Sequence, residues 1–158
     1  MESIIFQLIL IVLNPFASMS QVYKDSIIDI HAHPWKMESY ANDYLKATKN
    51  LSIQTGGIVI VQKPGHPRET RNANDQLIKL CKSSRSFFPV CSVHPYDGDT
   101  AVSELRRLKE LGVKVIKLHP ISQEFDIEDT RVSKVVREAG DLGIVVLIDA
   151  YTFFQQCI

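Results

Sequence analysis

The densest chemistry in this sequence lies in Ile27-Ile28-Asp29-Ile30-His31-Ala32-His33. Side chains alternate at period two along a strand, so the run predicts Asp29, His31 and His33 on one face and Ile28, Ile30 and Ala32 on the other. Two imidazoles converging at the end of a strand can reach one divalent ion. The other reading of the pair is two unrelated histidines at a strand-loop junction. Polar groups also close three later β-branched runs: His94 in Ser92-Val93-His94-Pro95, Lys117 and His119 in Ile116-Lys117-Leu118-His119-Pro120, and Asp149 in Leu147-Ile148-Asp149-Ala150. Taken singly, each is explained by a capped loop or a solvent-facing position. At the ends of four strands in an otherwise apolar pattern, they are what a site at the carboxyl face of a sheet requires. The remaining reactive types read more plainly. His66 falls in a surface loop, and Cys91 alternates onto the helix-facing side of its strand as a core residue. Arg106, Arg107 and Lys109 lie off the apolar stripe of a helix and read as its solvated face. Trp35, directly after the histidine pair, either walls a pocket or packs.

The elements that must carry these residues alternate short β-branched runs with amphipathic stretches, the pattern of parallel βα units. Strands are predicted at 27–31, 57–61, 89–93, 113–118 and 144–148, and helices at 74–83, 100–111 and 132–142, with a weaker helix in 40–54. Asp99-Thr100 and Asp129-Thr130 begin two of the helices and are expected to cap them, and both helices end in Leu-Gly, where glycine takes a left-handed cap. The strand-end residues His33, Lys63, His94, His119 and Asp149 recur at about 29 residues. Eight such units would total about 232 residues, close to the roughly 250 of a (β/α)8 barrel. The expected fold is therefore α/β, a partial TIM barrel of about five βα units. An open doubly wound sheet competes for the same count, but its first βα turn commonly carries a glycine-rich phosphate loop. Here that turn reads His31-Ala32-His33-Pro34-Trp35, without glycine.

Composition narrows the partners. The chain has 158 residues, and its 18 basic side chains balance 18 acidic ones. Net neutrality gives no electrostatic attraction to nucleic acid or anionic membrane. Cys81, Cys91 and Cys157 form no C-x-x-C pair, which argues against a disulfide framework or a thiolate zinc site and for reduced thiols in the cytoplasm. The apolar run at 4–13 is about half the roughly 20 residues needed to span a bilayer. Residues 1–18 read as a signal peptide, which would make the protein secreted or periplasmic, or as a leader outside the fold with Met19 as the working start. The domain is then 19–158, an incomplete barrel. A five-strand arc has two unpaired edges and an uncovered lumen, so self-association is expected.

Three stretches in order resemble the amidohydrolase superfamily, in its amidohydrolase-related branch of metal-dependent hydrolases and decarboxylases. They are Ile28-Asp29-Ile30-His31-Ala32-His33, Phe88-Pro89-Val90-Cys91-Ser92-Val93-His94-Pro95 and Gly112-Val113-Lys114-Val115-Ile116-Lys117-Leu118-His119-Pro120; Phe125-Asp126-Ile127-Glu128-Asp129-Thr130-Arg131 is similar too. The resemblance implies a (β/α)8 barrel that binds one or two divalent ions, often zinc, with His31 and His33 as two ligands. It sets Lys117 where binuclear members carry a bridging carboxylated lysine, and gives His94, Lys117 and His119 contact with substrate or oxyanion. Members usually place a histidine ligand at the end of the fifth strand; this chain has Asp149 there, a candidate third ligand and catalytic residue. The implied reaction is attack of metal-activated water on an amide, ester or lactone carbonyl of a small-molecule substrate, the partner the resemblance implies. The alternatives are a decarboxylase of the same branch and an inactive, vestigial domain.

Overall fold

A computed structural model describes residues 27–34, 39–84 and 86–149 of the chain. Its five strands are β1 (Ile27–Ala32), β2 (Ile53–Val59), β3 (Phe87–Ser92), β4 (Val115–Leu118) and β5 (Val145–Ile148). All neighbours are parallel and the order is simply β1-β2-β3-β4-β5. A doubly wound sheet reverses its strand order at a switch point. Sequential order has no such point, so the sheet is the arc of a barrel, as the 29-residue period predicts.

Between the strands run α1 (Tyr40–Thr48), α2 (Pro67–Lys82), a 3-10 turn (Pro95–Asp97) followed by α3 (Asp99–Glu110), then α4 (Pro120–Gln123) and α5 (Thr130–Asp141). Their apolar stripes cover one side of the sheet. Ile58, Phe87, Cys91, Ile116 and Leu118 meet Leu77 and Cys81 of α2, Leu105 and Leu108 of α3, and Val132, Val135 and Ala139 of α5. Leu77, Leu105 and Leu108 are wholly buried, each stabilising the fold by roughly 1.5–3 kcal/mol. Both Leu-Gly ends form the expected caps. Gly112 (φ 86°) and Gly143 (φ 65°) turn left-handed, and Val113 and Ile144 donate back to Leu108 and Ala139 at 3.0 and 2.8 Å.

Several boundaries differ from the pattern. β2 starts at Ile53, because α1 ends at Thr48 and the alternating Ile53-Gln54-Thr55 pairs with β1. α2 starts two turns early, with Pro67 in its first turn; those turns are polar and, apart from the buried Thr70, largely exposed, so they lack the stripe on which the helix is recognised. Asp129 does cap α5, accepting from the Arg131 amide at 2.8 Å. Asp99 does not cap α3: it sits inside the helix, and Gly98 (φ 58°) precedes it. Arg107 is not on a solvated face either. Its side chain is 17% exposed and clamps Glu104 and Asp75 with three hydrogen bonds of 2.7–2.8 Å.

The largest departure is in β1. Cα partners across a parallel ladder share a face, and Asp29 pairs with Gly56, which pairs with Phe87 on the helix side. Ala32 pairs with Ile58, also on the helix side, and the register shifts by one between Asp29 and Ala32. This bulge lets Asp29 and Ala32 share a face despite their odd spacing. Asp29 therefore lies toward α1, away from His31 and His33. Gly57 makes room beside it: a Cβ there would come within 2.8 Å of the Phe88 ring and 3.1 Å of the Ile30 carbonyl.

Candidate active site

The lumen side of the strand ends gathers five of the six residues singled out from the sequence. His31 and His33 end β1, with their Nε2 atoms 3.0 Å apart and ring centroids 4.9 Å apart. Lys117 of β4 points to the same side, since it pairs with Ser92, one residue on from the helix-facing Cys91–Ile116 pair. Asp149, just after β5, lies with Oδ2 3.8 Å from Lys117 Nζ and 3.5 Å from His119 Nε2. His119 opens α4, and its Nδ1 accepts from the Ser122 amide at 3.3 Å. That bond leaves the ring proton on Nε2, aimed at Asp149.

Electrostatics tie the two groups together. Burial, then the Lys117 ammonium and the neighbouring His33, hold the His31 pKa below its usual value, against the pull of Asp149 and Asp29. Lys117, only 2% exposed, is held below the ordinary lysine range by burial, which Asp149 only partly offsets. A neutral imidazole is the form that ligates metal, so the lowered His31 pKa favours ligation at neutral pH.

His94 stands apart. It is wholly buried; Nδ1 accepts from the Tyr96 amide at 3.1 Å and Nε2 donates to the Gln123 carbonyl at 2.6 Å, with the Phe125 ring edge-on. Both nitrogens being taken, the expected contact with substrate gives way to a structural clasp. Lys63, the marker of the second unit, is an exposed loop residue paired with Glu124.

Two buried amides were not singled out from the sequence. Gln123, 0% exposed, donates to the Gln62 and Val93 carbonyls at 2.9 Å each and accepts from the His119 amide at 2.8 Å, so one side chain ties the ends of β2, β3 and β4. Asn74 of α2 exchanges two 3.0 Å bonds with the backbone of Ser92 and donates to Glu104 at 2.9 Å. A glutamine in a loop carries no signal of its own. Asn74 could have been found by its place three, four and seven residues before the apolar Leu77, Ile78 and Cys81, at the spacing of one helix face.

The two described thiols are buried. Burial lifts Cys81 to about 12 and raises Cys91 further still, so both are neutral core residues, as read for Cys91. Trp35, Cys157 and residues 1–18 lie outside the described residues.

A metal fits part of this arrangement. Zn–N bonds of about 2.0–2.1 Å in tetrahedral geometry set two ligand nitrogens roughly 3.3 Å apart, and the imidazoles already stand 3.0 Å apart. Asp149 Oδ2 lies 3.8 Å from Lys117 Nζ and 3.5 Å from His119 Nε2, and among the described residues no three His, Cys, Asp or Glu side chains converge on one ion position. No described helix is long and apolar enough to cross a membrane.

Comparison with known proteins agrees with the geometry. A family model described as Amidohydrolase matches residues 28–157. Among solved structures, a crystal structure of a Staphylococcus aureus protein provisionally named an amidohydrolase aligns at 14% identity with a TM-score of 0.64, over 83% of this chain and 50% of that one. At that identity the likeness speaks for the fold, and the chain spans about half the length of that structure. No curated protein matches the sequence.

Proposed function

The chain belongs to the amidohydrolase family, and we propose that it carries the first-strand metal site of a hydrolase acting on an amide, ester or lactone carbonyl. The observation behind this reading is the pair of Nε2 atoms 3.0 Å apart at the end of β1, on the side of the sheet that bears Lys117, His119 and Asp149. His31 and His33 would hold a divalent ion, zinc by their donor type, through both Nε2 atoms, with the hydrogen bond now joining those atoms given up to the ion. When bound, such an ion supplies Lewis acidity, polarising a carbonyl and bringing the pKa of water toward neutrality. The chain's own groups supply the rest. Asp149, a carboxylate beside a buried ammonium, takes a proton from the attacking water, and His119 holds it in place through Nε2–H. The Lys117 ammonium faces the charge that develops on the carbonyl oxygen. Decarboxylation by the same branch would use the same residues. The neutral, buried thiols suit a cytoplasmic setting.

One observation favours a second reading, a domain that binds metal weakly and does no chemistry. Among the described residues no third His, Cys, Asp or Glu side chain completes an ion position with the imidazole pair, and two ligands hold zinc far less firmly than the three or four of established sites. Metal analysis of the purified chain separates the two. Near-stoichiometric zinc, lost in a His31→Ala/His33→Ala variant, supports the first reading. Equal zinc in both proteins removes these histidines as ligands.

A further inference from the structure

The bulge that moves Asp29 off the lumen face gives its carboxylate two partners. Oδ1 accepts the His31 backbone amide at 3.0 Å, and Oδ2 accepts the Tyr44 phenol at 2.8 Å. Tyr44 is itself fixed. It lies on α1, its ring packs edge-on against Phe87 at 5.4 Å and beside Tyr40 at 5.9 Å, and its hydroxyl and ring end stand over Gly56, where a Cβ would meet them at 3.3 Å. A continuous chain of contacts thus runs from the helix layer, through one carboxylate, to the backbone of the first histidine. Between Asp29 and Ala32 the β1–β2 ladder is out of register, so the Asp29 carboxylate holds the His31 amide where regular pairing fails.

We infer that Tyr44 and Asp29 are positioning residues for the His31–His33 pair, fixing the bulge that turns both imidazoles to the lumen. The inference rests on the proposed metal site for its consequence in binding, but its structural content stands without metal. Neither residue touches the ion position. Their effect passes through the His31 backbone, and the hydroxyl of Tyr44 matters while its ring only packs.

The test uses the full chain with Tyr44→Phe, Asp29→Ala and, as a packing control, Phe87→Leu, which loosens the same aromatic cluster without removing either hydrogen bond. In metal-free protein, amide exchange at His31 is expected to accelerate roughly fivefold in Tyr44→Phe and more in Asp29→Ala, the factor that corresponds to one net hydrogen bond. The nuclear Overhauser contact between the two imidazoles should weaken in both. Phe87→Leu should lower the unfolding midpoint and leave these two signals unchanged. Zinc affinity, measured by competition with a chromophoric chelator, should fall about tenfold in Tyr44→Phe, the usual range for a supporting residue. Unchanged His31 exchange and ring contact in both Tyr44→Phe and Asp29→Ala would overturn the inference. So would equal changes in Phe87→Leu, which would reduce the clamp to packing. If the wild type binds no zinc, the metal reading fails while exchange and ring contact still decide the clamp.

Discussion

Gln123 offers the sharpest test of how the strand ends are held. Its side chain makes three hydrogen bonds of 2.8–2.9 Å, to the Gln62 and Val93 carbonyls and from the His119 amide, inside a site with no solvent exposure. Gln123→Leu removes all three. At about 1 kcal/mol net for each, with a further penalty for groups left buried and unpaired, the loss should be about 3–5 kcal/mol. That is a large part of the 5–15 kcal/mol typical of a folded domain. Gln123→Glu keeps the shape and the acceptor for His119 but replaces the donor with oxygen against two carbonyls. Its protonated form, which restores one donor, is favoured in the fold, so its folded pKa lies above the unfolded value of about 4.3. A raised carboxyl pKa contributes stability below the unfolded pKa and loses it as pH rises through the folded one. Urea unfolding of the full chain at fixed protein concentration, at pH 4 and pH 7, should therefore show Gln123→Glu closer to wild type in acid. A Leu variant within about 1 kcal/mol of wild type, or a Glu variant with no pH dependence relative to wild type, would refute this account of the loops.

Other substitutions probe the remaining terms. Because burial outweighs Asp149 at Lys117, Lys117→Met should be neutral or stabilising by about 1–2 kcal/mol at pH 7; with a folded pKa below 10.5, the wild type gains on the variant as pH rises from that value toward 10.5, and a loss above about 3 kcal/mol at pH 7 would show that the ion pair dominates. Gly57→Ala should cost about 1–3 kcal/mol by driving a methyl into Phe88 and the Ile30 carbonyl, and a midpoint equal to wild type would mean that the bulge yields freely. Cys81, with a pKa of about 12, is about one part in 10⁴ thiolate at pH 8; peptide mapping should find Cys81 and Cys91 unmodified by iodoacetamide until urea is added. Ile28, Ile30 and Val145 on the outermost strands of the described sheet are 52–62% exposed, so sedimentation velocity should show self-association that Ile28→Lys/Val145→Lys reduces, and an unchanged distribution would exonerate these strands.

The parts of the fold that repeat were legible in the sequence, because each βα unit is specified by its own local pattern. Val132, Val135, Val136, Ala139 and Leu142 recur at helical spacing before the closing Gly143 without reference to any distant partner, and the structure buries them in whole or part. The strand-end residues were legible for the same reason: a polar group at the end of an apolar run has few places to go. Legibility fails where a partner far along the chain decides the role. His94 has the same local pattern as His119, a histidine before proline at a strand end, yet Gln123, 29 residues away, takes its Nε2, whereas His119 Nε2 faces Asp149. Asp29 shows the limit of the period-two rule most directly. Alternation holds only while the ladder is unbroken, and the break in β1 accompanies Gly57 and Phe88 on neighbouring strands and Tyr44 on a helix. Within β1 nothing marks the bulge, since Ile30 is an ordinary strand residue. His31 and His33 escape the error because both lie beyond Ile30 and their spacing of two survives the shift. The histidine pair was therefore readable from seven residues, while the side of the sheet that Asp29 serves was fixed by residues the motif does not contain.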